Sequence, residues 1–80
     1  MYFVYLLECA DTSIYTGIAT DVERRFKEHQ NGLGAAYTRS RKPVRILYTE
    51  QVADRSAALK REAVIKKLPR TKKLELIARS

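Results

Sequence analysis

The chain has 80 residues, 45% of them hydrophobic, and a formal net charge of +7. A chain this short buries only about 60% of the surface that its unfolded form exposes, so we expect one domain over residues 1–80. No stretch approaches the roughly 20 apolar residues of a membrane helix, and residues 1–5 have neither the basic region nor the cleavage site of a signal peptide. We therefore expect no membrane association.

The cysteine count and the charge narrow the class of protein further. The single cysteine cannot form an internal disulfide, which favours a reducing compartment and predicts a cytoplasmic protein. One cysteine and one histidine also argue against a four-ligand structural zinc site. The 16 Lys and Arg residues against 9 Asp and Glu residues favour a polyanion such as DNA as the partner.

The chain begins with a predicted β-hairpin. Residues 2–8 are apolar or aromatic at both odd and even positions, which is typical of a central strand covered on both faces, and residues 14–18 form the second strand. A three-residue loop at 11–13 pairs Cys9 with Tyr15 and places Tyr5 and Tyr15 on one face of the sheet. A two-residue loop would instead place the two tyrosines on opposite faces of the sheet, because side chains alternate along a strand. We predict the shared face.

A helix over residues 21–30 is predicted next. Thr20 and Glu23 have the spacing of a capping box at its start, and Asn31 with Gly32 is a good signal for its end. Near its buried stripe lie two polar side chains, Arg25 and His29, whose spacing of four residues puts them on one side.

The stripe itself contains Val22 and Phe26, and Arg24, Lys27 and Glu28 are expected to point away from it. A cation and an imidazole bordering a buried face are costly unless the protein uses them. Each also has a purely structural explanation, because Arg25 can be an ion-pair partner and His29 can suit the C-terminal helix dipole.

Residues 33–43 are predicted to form a loop, because they combine Gly34, Pro43 and a polar run. Several side chains of this run can contact phosphates, although a solvated surface loop explains them equally well. The candidates are Thr38, Arg39, Arg41 and Lys42.

The last part of the chain is predicted to add a strand and two helices. Residues 44–52 form a strand beside the first one, and Asp54 caps a helix over 55–68. Glu62 falls at or beside the apolar face of this helix, where it can face the site or pair with Lys66 at the i+4 position.

Pro69 separates that helix from a short one over residues 71–79. Leu74, Ile77 and Ala78 are predicted to pack the short helix against the body. The basic segment 66–73 can contact DNA or a partner protein.

The residue types restrict the chemistry. The acidic residues do not cluster, which argues against a two-metal site, and three scattered glycines do not make a phosphate loop. A site made of tyrosines, one arginine, one histidine and one glutamate remains. Glutamate suits Mg²⁺, arginine suits a phosphoryl group, and a tyrosine can act on water if nearby cations lower its pKa from about 10. Two strand tyrosines are, however, more often simple packing.

Several segments together resemble the GIY-YIG endonuclease superfamily. They are residues 4–9, 15–18, 24–29, 34–39, 41–44 and 58–62, and the resemblance to the small single-domain bacterial members covers essentially the whole chain. It implies an α+β fold in which helices flank a three-stranded antiparallel sheet, in the order ββαβαα.

The resemblance also implies Mg²⁺- or Mn²⁺-dependent cleavage of DNA phosphodiester bonds. Tyr5 and Tyr15 match the motif tyrosines, one of which is the general base or orients the water. Arg25 matches the phosphate-stabilising arginine, and His29 matches the group that assists the tyrosine or the leaving group. Glu62 matches the sole protein ligand of the metal.

Further residues are expected to contact DNA. They are Gly17, which matches the motif glycine and allows close approach of the backbone, with Thr38, Arg39, Arg41, Lys42, Lys66 and Lys67.

The chain departs from the family pattern at several points. Phe3, Val4 and Thr16 replace motif residues, Thr12 stands where relatives often have a turn glycine, and no asparagine follows Glu62. We expect no separate DNA-recognition domain, and therefore an endonuclease that selects branched or nicked DNA in repair or recombination. The alternatives are a non-catalytic basic module that binds nucleic acid and an interaction subunit that depends on a partner.

Overall fold

The computed structural model describes residues 1–79. In this part of the chain the elements are β1 (Tyr2–Cys9), β2 (Ile14–Ala19), α1 (Val22–Gln30), α2 (Ala36–Arg41), β3 (Pro43–Val52), α3 (Arg55–Lys66) and α4 (Arg70–Ala78). The predicted α+β class and the order ββαβαα are confirmed, with α2 as an additional helix. None of the helices within residues 1–79 has the length and apolar character to cross a membrane.

The sheet has the order β2-β1-β3 with antiparallel pairs, so β1 is central as predicted. Tyr15 pairs with Leu7, and the predicted pairing with Cys9 is wrong by two residues. The turn closes one residue earlier than expected, since the Cys9 N–H donates to the Ser13 carbonyl. A shift of two residues preserves the face of every side chain, so Tyr5 and Tyr15 do share a face.

Different helices pack against the two faces of the sheet. Val4 and Leu6 are fully buried in a core with Ala58 and Ile65 of α3. Tyr5 alternates with them and points to the opposite face, where α1 lies. Because both faces of β1 are packed, polar and apolar residues do not alternate along the centre of this strand.

The helix ends follow local capping chemistry. Asp21, rather than Thr20, is the N-cap of α1, and its carboxylate accepts a hydrogen bond from the Arg24 N–H at 3.1 Å. Gly32 follows α1 with a φ of +77°, as a glycine after a helix commonly does. Asp54 caps α3 as predicted, through the Ala57 N–H at 2.8 Å.

Two of the predictions about helices are wrong. Residues 33–43 were predicted to form a loop but contain α2, which is held by tertiary contacts: the Ala10 N–H of the hairpin donates to the Arg41 and Lys42 carbonyls. In α4, Leu74 and Ala78 are exposed, and Leu76 joins Ile77 against the core because the helix is rotated relative to the predicted stripe.

Candidate active site

The two motif tyrosines meet on the α1 side of the sheet. Their ring centroids are 6.4 Å apart, and Tyr5 is 1% exposed whereas Tyr15 is only half-buried. A Cβ atom on Gly17 would lie 2.5 Å from the Tyr5 hydroxyl and 3.0 Å from the Tyr15 ring. A side chain at position 17 would therefore displace the phenols, so the structure explains this glycine by steric fit, and Gly17 is itself buried.

His29 connects Tyr5 to α2. Its Nε2 lies 2.8 Å from the Tyr5 hydroxyl, and its Nδ1 lies 2.7 Å from the Thr38 hydroxyl. The Thr38 hydroxyl in turn donates to the Ala35 carbonyl at 2.9 Å. His29 and Thr38 are each 1% exposed. Thr38 therefore lies inside the protein, and the expectation of a surface hydroxyl available to phosphates is wrong.

Gly34 makes room for the histidine, because a Cβ atom there would overlap the imidazole ring of His29. Sequence reasoning treated Gly34 only as a sign of a loop and missed this role. It also missed the contact between Thr38 and His29, which depends on α2. The GA-x-x-T pattern at residues 34–38 is the local signal from which both could have been found.

The surroundings shift the pKa values of Tyr5 and His29. Burial, followed by the neighbouring Tyr15, raises the pKa of Tyr5 above its usual range; Arg25 lowers it through its charge and a side-chain contact, and Glu62 raises it. Burial, followed by the charge of Arg25, lowers the pKa of His29. The expectation that cations lower the pKa of the site tyrosine is therefore wrong for Tyr5, because desolvation outweighs them.

Arg25 lies on α1 with a side chain that is 37% exposed, and it lines a depression of about 230 Å³ with the end of β2. Its Nη1 donates to Glu28 at 2.9 Å. Glu28 was predicted to point away from the buried stripe of α1, and its partly exposed carboxylate pairs with both Arg24 and Arg25. The hydrogen bond to Glu28 raises the Arg25 pKa, so the guanidinium carries a full charge beside the Tyr5 phenol.

Glu62 approaches from α3, where it lies beside Ala58 and Ile65 on the helix face that packs against the sheet. Its side chain is 18% exposed and pairs with Lys66 at 3.5 Å. Its negative charge acts on Tyr5. Among residues 1–79, no three His, Cys, Asp or Glu side chains form a group that could hold a metal.

A single carboxylate fits an ion that keeps most of its water. Mg²⁺ binds in this way through one or two carboxylates plus phosphate oxygens. The partly exposed Glu62 suits such an ion, whereas a dedicated cage made of protein ligands has no counterpart in the described residues.

The predicted DNA contacts form two exposed groups. Arg39 and Lys42 are exposed on and after α2, and Lys66 and Lys67 are exposed at the end of α3. Between the α2 group and the site lies an aromatic column, which we define as Tyr15, Tyr37 and Arg41. The rings of Tyr15 and Tyr37 are 5.7 Å apart, and the Arg41 guanidinium lies 3.9 Å above Tyr37. Sequence reasoning did not single out Tyr37.

Comparison with known proteins places this geometry in a family. The GIY-YIG catalytic domain pattern matches residues 1–75. The chain belongs to the GIY-YIG family. Among its relatives, the UPF0213 protein of Natronomonas pharaonis is 52% identical over 96% of this chain and 91% of that protein. The UPF0213 protein of Staphylococcus saprophyticus is 48% identical over 96% of this chain and 94% of that protein.

Solved structures of GIY-YIG relatives agree with the fold. The solution NMR structure of the UPF0213 protein BH0048 from Bacillus halodurans has 46% identity and a TM-score of 0.61, covering 98% of this chain and 84% of that one. The NMR structure of protein EF2693 from E. faecalis has 41% identity and a TM-score of 0.64, covering 96% and 82%. GIY-YIG membership indicates the nuclease superfamily and a nucleic-acid substrate.

Proposed function

We propose that this GIY-YIG protein is a divalent-metal-dependent endonuclease that hydrolyses DNA phosphodiester bonds. We further propose that it selects branched or nicked DNA rather than a base sequence, and that it acts in DNA repair or recombination in the cytoplasm. The hydrogen bond between the buried Tyr5 hydroxyl and His29, beside the Arg25 charge, is the observation that carries the proposal.

Tyr5 is the general base because its hydroxyl is hydrogen-bonded to a proton acceptor, His29 Nε2. The raised pKa of Tyr5 and the lowered pKa of His29 both favour the neutral pair, so a free phenolate is not the resting form. Tyr5 instead accepts a proton from the attacking water while it passes its own proton to His29 Nε2. Proton transfer of this kind contributes roughly 10²- to 10⁴-fold to a rate.

Arg25 and Tyr15 act on the substrate. Arg25 presents a charged planar group beside Tyr5, which suits a phosphoryl group as its negative charge develops. Tyr15 is more exposed than Tyr5, and its ring meets His29 edge-on at 5.1 Å between centroids. It orients the water and limits the access of bulk solvent to Tyr5.

Glu62 would hold Mg²⁺ or Mn²⁺, and the bound ion supplies positive charge to phosphate oxygens. Arg39, Arg41, Lys42, Lys66 and Lys67 would contact phosphates along the duplex. Such contacts orient DNA without reading its sequence, which supports selection by structure.

The test is cleavage of branched, nicked and plain duplex DNA with Mg²⁺ or Mn²⁺, comparing wild type with Glu62→Gln. We expect the variant to lose at least 100-fold in rate, by analogy with the loss of one charged transition-state contact, about 10²-fold or more. Glu75→Gln is the matched control, since Glu75 also pairs with a lysine on its own helix.

The outcomes separate the parts of the proposal. Equal cleavage by wild type and Glu62→Gln would show that Glu62 does not hold the metal. Equal cleavage of plain and branched duplexes would remove the structural selectivity, and no cleavage with either metal would overturn the enzymatic function.

A second candidate function is a non-catalytic module that binds nucleic acid. The aromatic column favours it, because Tyr37 and Arg41 form a planar, cationic surface against which a base at a DNA end or branch can stack. This function predicts binding that weakens steeply with salt and no cleavage under any metal.

A further inference from the structure

We infer that Thr38 is a positioning residue that fixes the tautomer of His29, so that Nδ1 carries the proton and the bare Nε2 faces Tyr5. The tautomer is inferred from the directions of the hydrogen bonds around Thr38 and His29. Its consequence for catalysis rests on the proposed function.

The first step concerns the single proton of the Thr38 hydroxyl. That proton is donated to the Ala35 carbonyl at 2.9 Å, and a carbonyl can only accept. At 2.7 Å from His29 Nδ1, the Thr38 oxygen must therefore accept a hydrogen bond. Nδ1 must carry the hydrogen.

The second step concerns the other ring nitrogen. A neutral imidazole has one N–H, so Nε2 is left with a free lone pair. The Tyr5 hydroxyl at 2.8 Å then donates to Nε2. The whole chain of hydrogen bonds runs in one direction, from Tyr5 through His29 and Thr38 to the Ala35 carbonyl.

The surroundings prevent Thr38 and His29 from turning away. Both side chains are buried, and Gly34 packs so closely that a Cβ atom would overlap the imidazole ring. The end of α2 is fastened to the β1–β2 hairpin by the two hydrogen bonds of the Ala10 N–H. Ring orientation and tautomer are therefore set before any substrate binds.

This arrangement decides whether Tyr5 can act as a base. When the Tyr5 O–H bond breaks, an N–H bond forms at Nε2, and the electron pair left on the phenol oxygen takes the proton of the attacking water. The opposite tautomer presents an N–H to Tyr5 and cannot accept its proton. Partners on the far nitrogen of a metal-bound histidine select its tautomer by the same logic.

The test is ¹⁵N NMR of the full chain without DNA or metal, where the single histidine gives one unambiguous pair of ring nitrogens. We expect the Nδ1–H tautomer at neutral pH. Thr38→Val keeps the shape of the side chain and removes its hydroxyl, so it should give a mixture of His29 tautomers. Thr38→Ser keeps the hydroxyl and should show the Nδ1–H tautomer alone. Thr16→Val is the matched control, because the buried Thr16 hydroxyl has no hydrogen-bond partner within residues 1–79.

In cleavage assays, Thr38→Val should lower kcat by about 10-fold or more and leave KM within about twofold, with Thr38→Ser close to wild type. An Nε2–H tautomer in wild type, or an unchanged tautomer in folded Thr38→Val, overturns the inference. The wild-type spectrum decides even if Thr38→Val does not fold. If wild type has the expected tautomer but cleaves no DNA, the proposed function fails and the assigned tautomer stands.

Discussion

At the scale of single residues, the site depends on opposite pKa shifts of Tyr5 and His29 and on two glycines that leave room for these side chains. Burial raises the pKa of Tyr5 and lowers that of His29, so both groups rest in their neutral forms within hydrogen-bond distance. Gly17 and Gly34 leave space for the Tyr5 hydroxyl and the His29 ring, respectively. The glycines thus act by steric fit rather than by unusual backbone angles.

These shifts predict the pH dependence of cleavage. His29 must be neutral to accept a proton, so kcat/KM should fall as the pH drops through the His29 pKa, which lies below 6.5. No alkaline loss from Tyr5 is expected up to about pH 10, its ordinary pKa, because burial raises that value. A pH–rate profile tests both the fall at acid pH and the absence of a fall at alkaline pH. A loss of activity at acid pH that is centred above pH 6.5 would contradict the assigned role of His29.

At the scale of elements, the β1–β2 turn joins several parts of the fold. Its Ala10 N–H bonds to the end of α2, and the Thr12 carbonyl accepts from Arg70 of α4 at 2.8 Å. Thr12 itself has a φ of +69°, a left-handed conformation that is unfavourable for a β-branched residue. The fold tolerates this strain within the β1–β2 turn.

Thr12→Gly is therefore expected to raise the free energy of unfolding by roughly 1 kcal/mol, since relief of left-handed strain exceeds the entropy that glycine adds to the unfolded chain. Denaturant unfolding measures the change as a shift in midpoint at constant slope. Thr20→Gly is the control, because Thr20 is exposed without a positive φ, and it should be destabilising. A lower stability for Thr12→Gly would contradict the strain argument.

At the scale of the whole molecule, the charge of +7 is spread over surfaces on both sides of the sheet. Arg39 and Lys42 extend from α2, whereas Lys66 and Lys67 extend from the end of α3. Several cations lie in ion pairs, as Lys66 does with Glu62 and Arg45 with Glu8. Cations that have no ion pair within residues 1–79, such as Arg39 and Lys42, can replace counterions on DNA directly.

DNA affinity should accordingly fall steeply with salt. Arg39→Gln and Lys42→Gln should each reduce the slope of log K against log salt by about 1, since each removes one phosphate contact. Arg45→Gln should leave the slope unchanged, as Arg45 is already paired. Fluorescence anisotropy with the Glu62→Gln variant, without added metal, measures binding separately from cleavage. Unchanged slopes in the first two variants would argue against contacts from α2.

The sequence by itself determined the central position of β1, the Asp54 cap and the place of Glu62 on its helix, and it favoured a common face for Tyr5 and Tyr15. These features follow from local physics, because strand alternation, helical spacing and capping act over a few neighbouring residues. The resemblance to the GIY-YIG superfamily extended them to a candidate site.

Only the tertiary structure decided α2 and the hydrogen-bond chain through His29 and Thr38. The N-cap position of α2, Ala35, has no side chain that can cap the helix, and its six residues are too few to form a stable helix in isolation. α2 exists because the hairpin and His29 hold it. The direction of the Tyr5 pKa shift was likewise decided by burial, which depends on packing from distant parts of the chain.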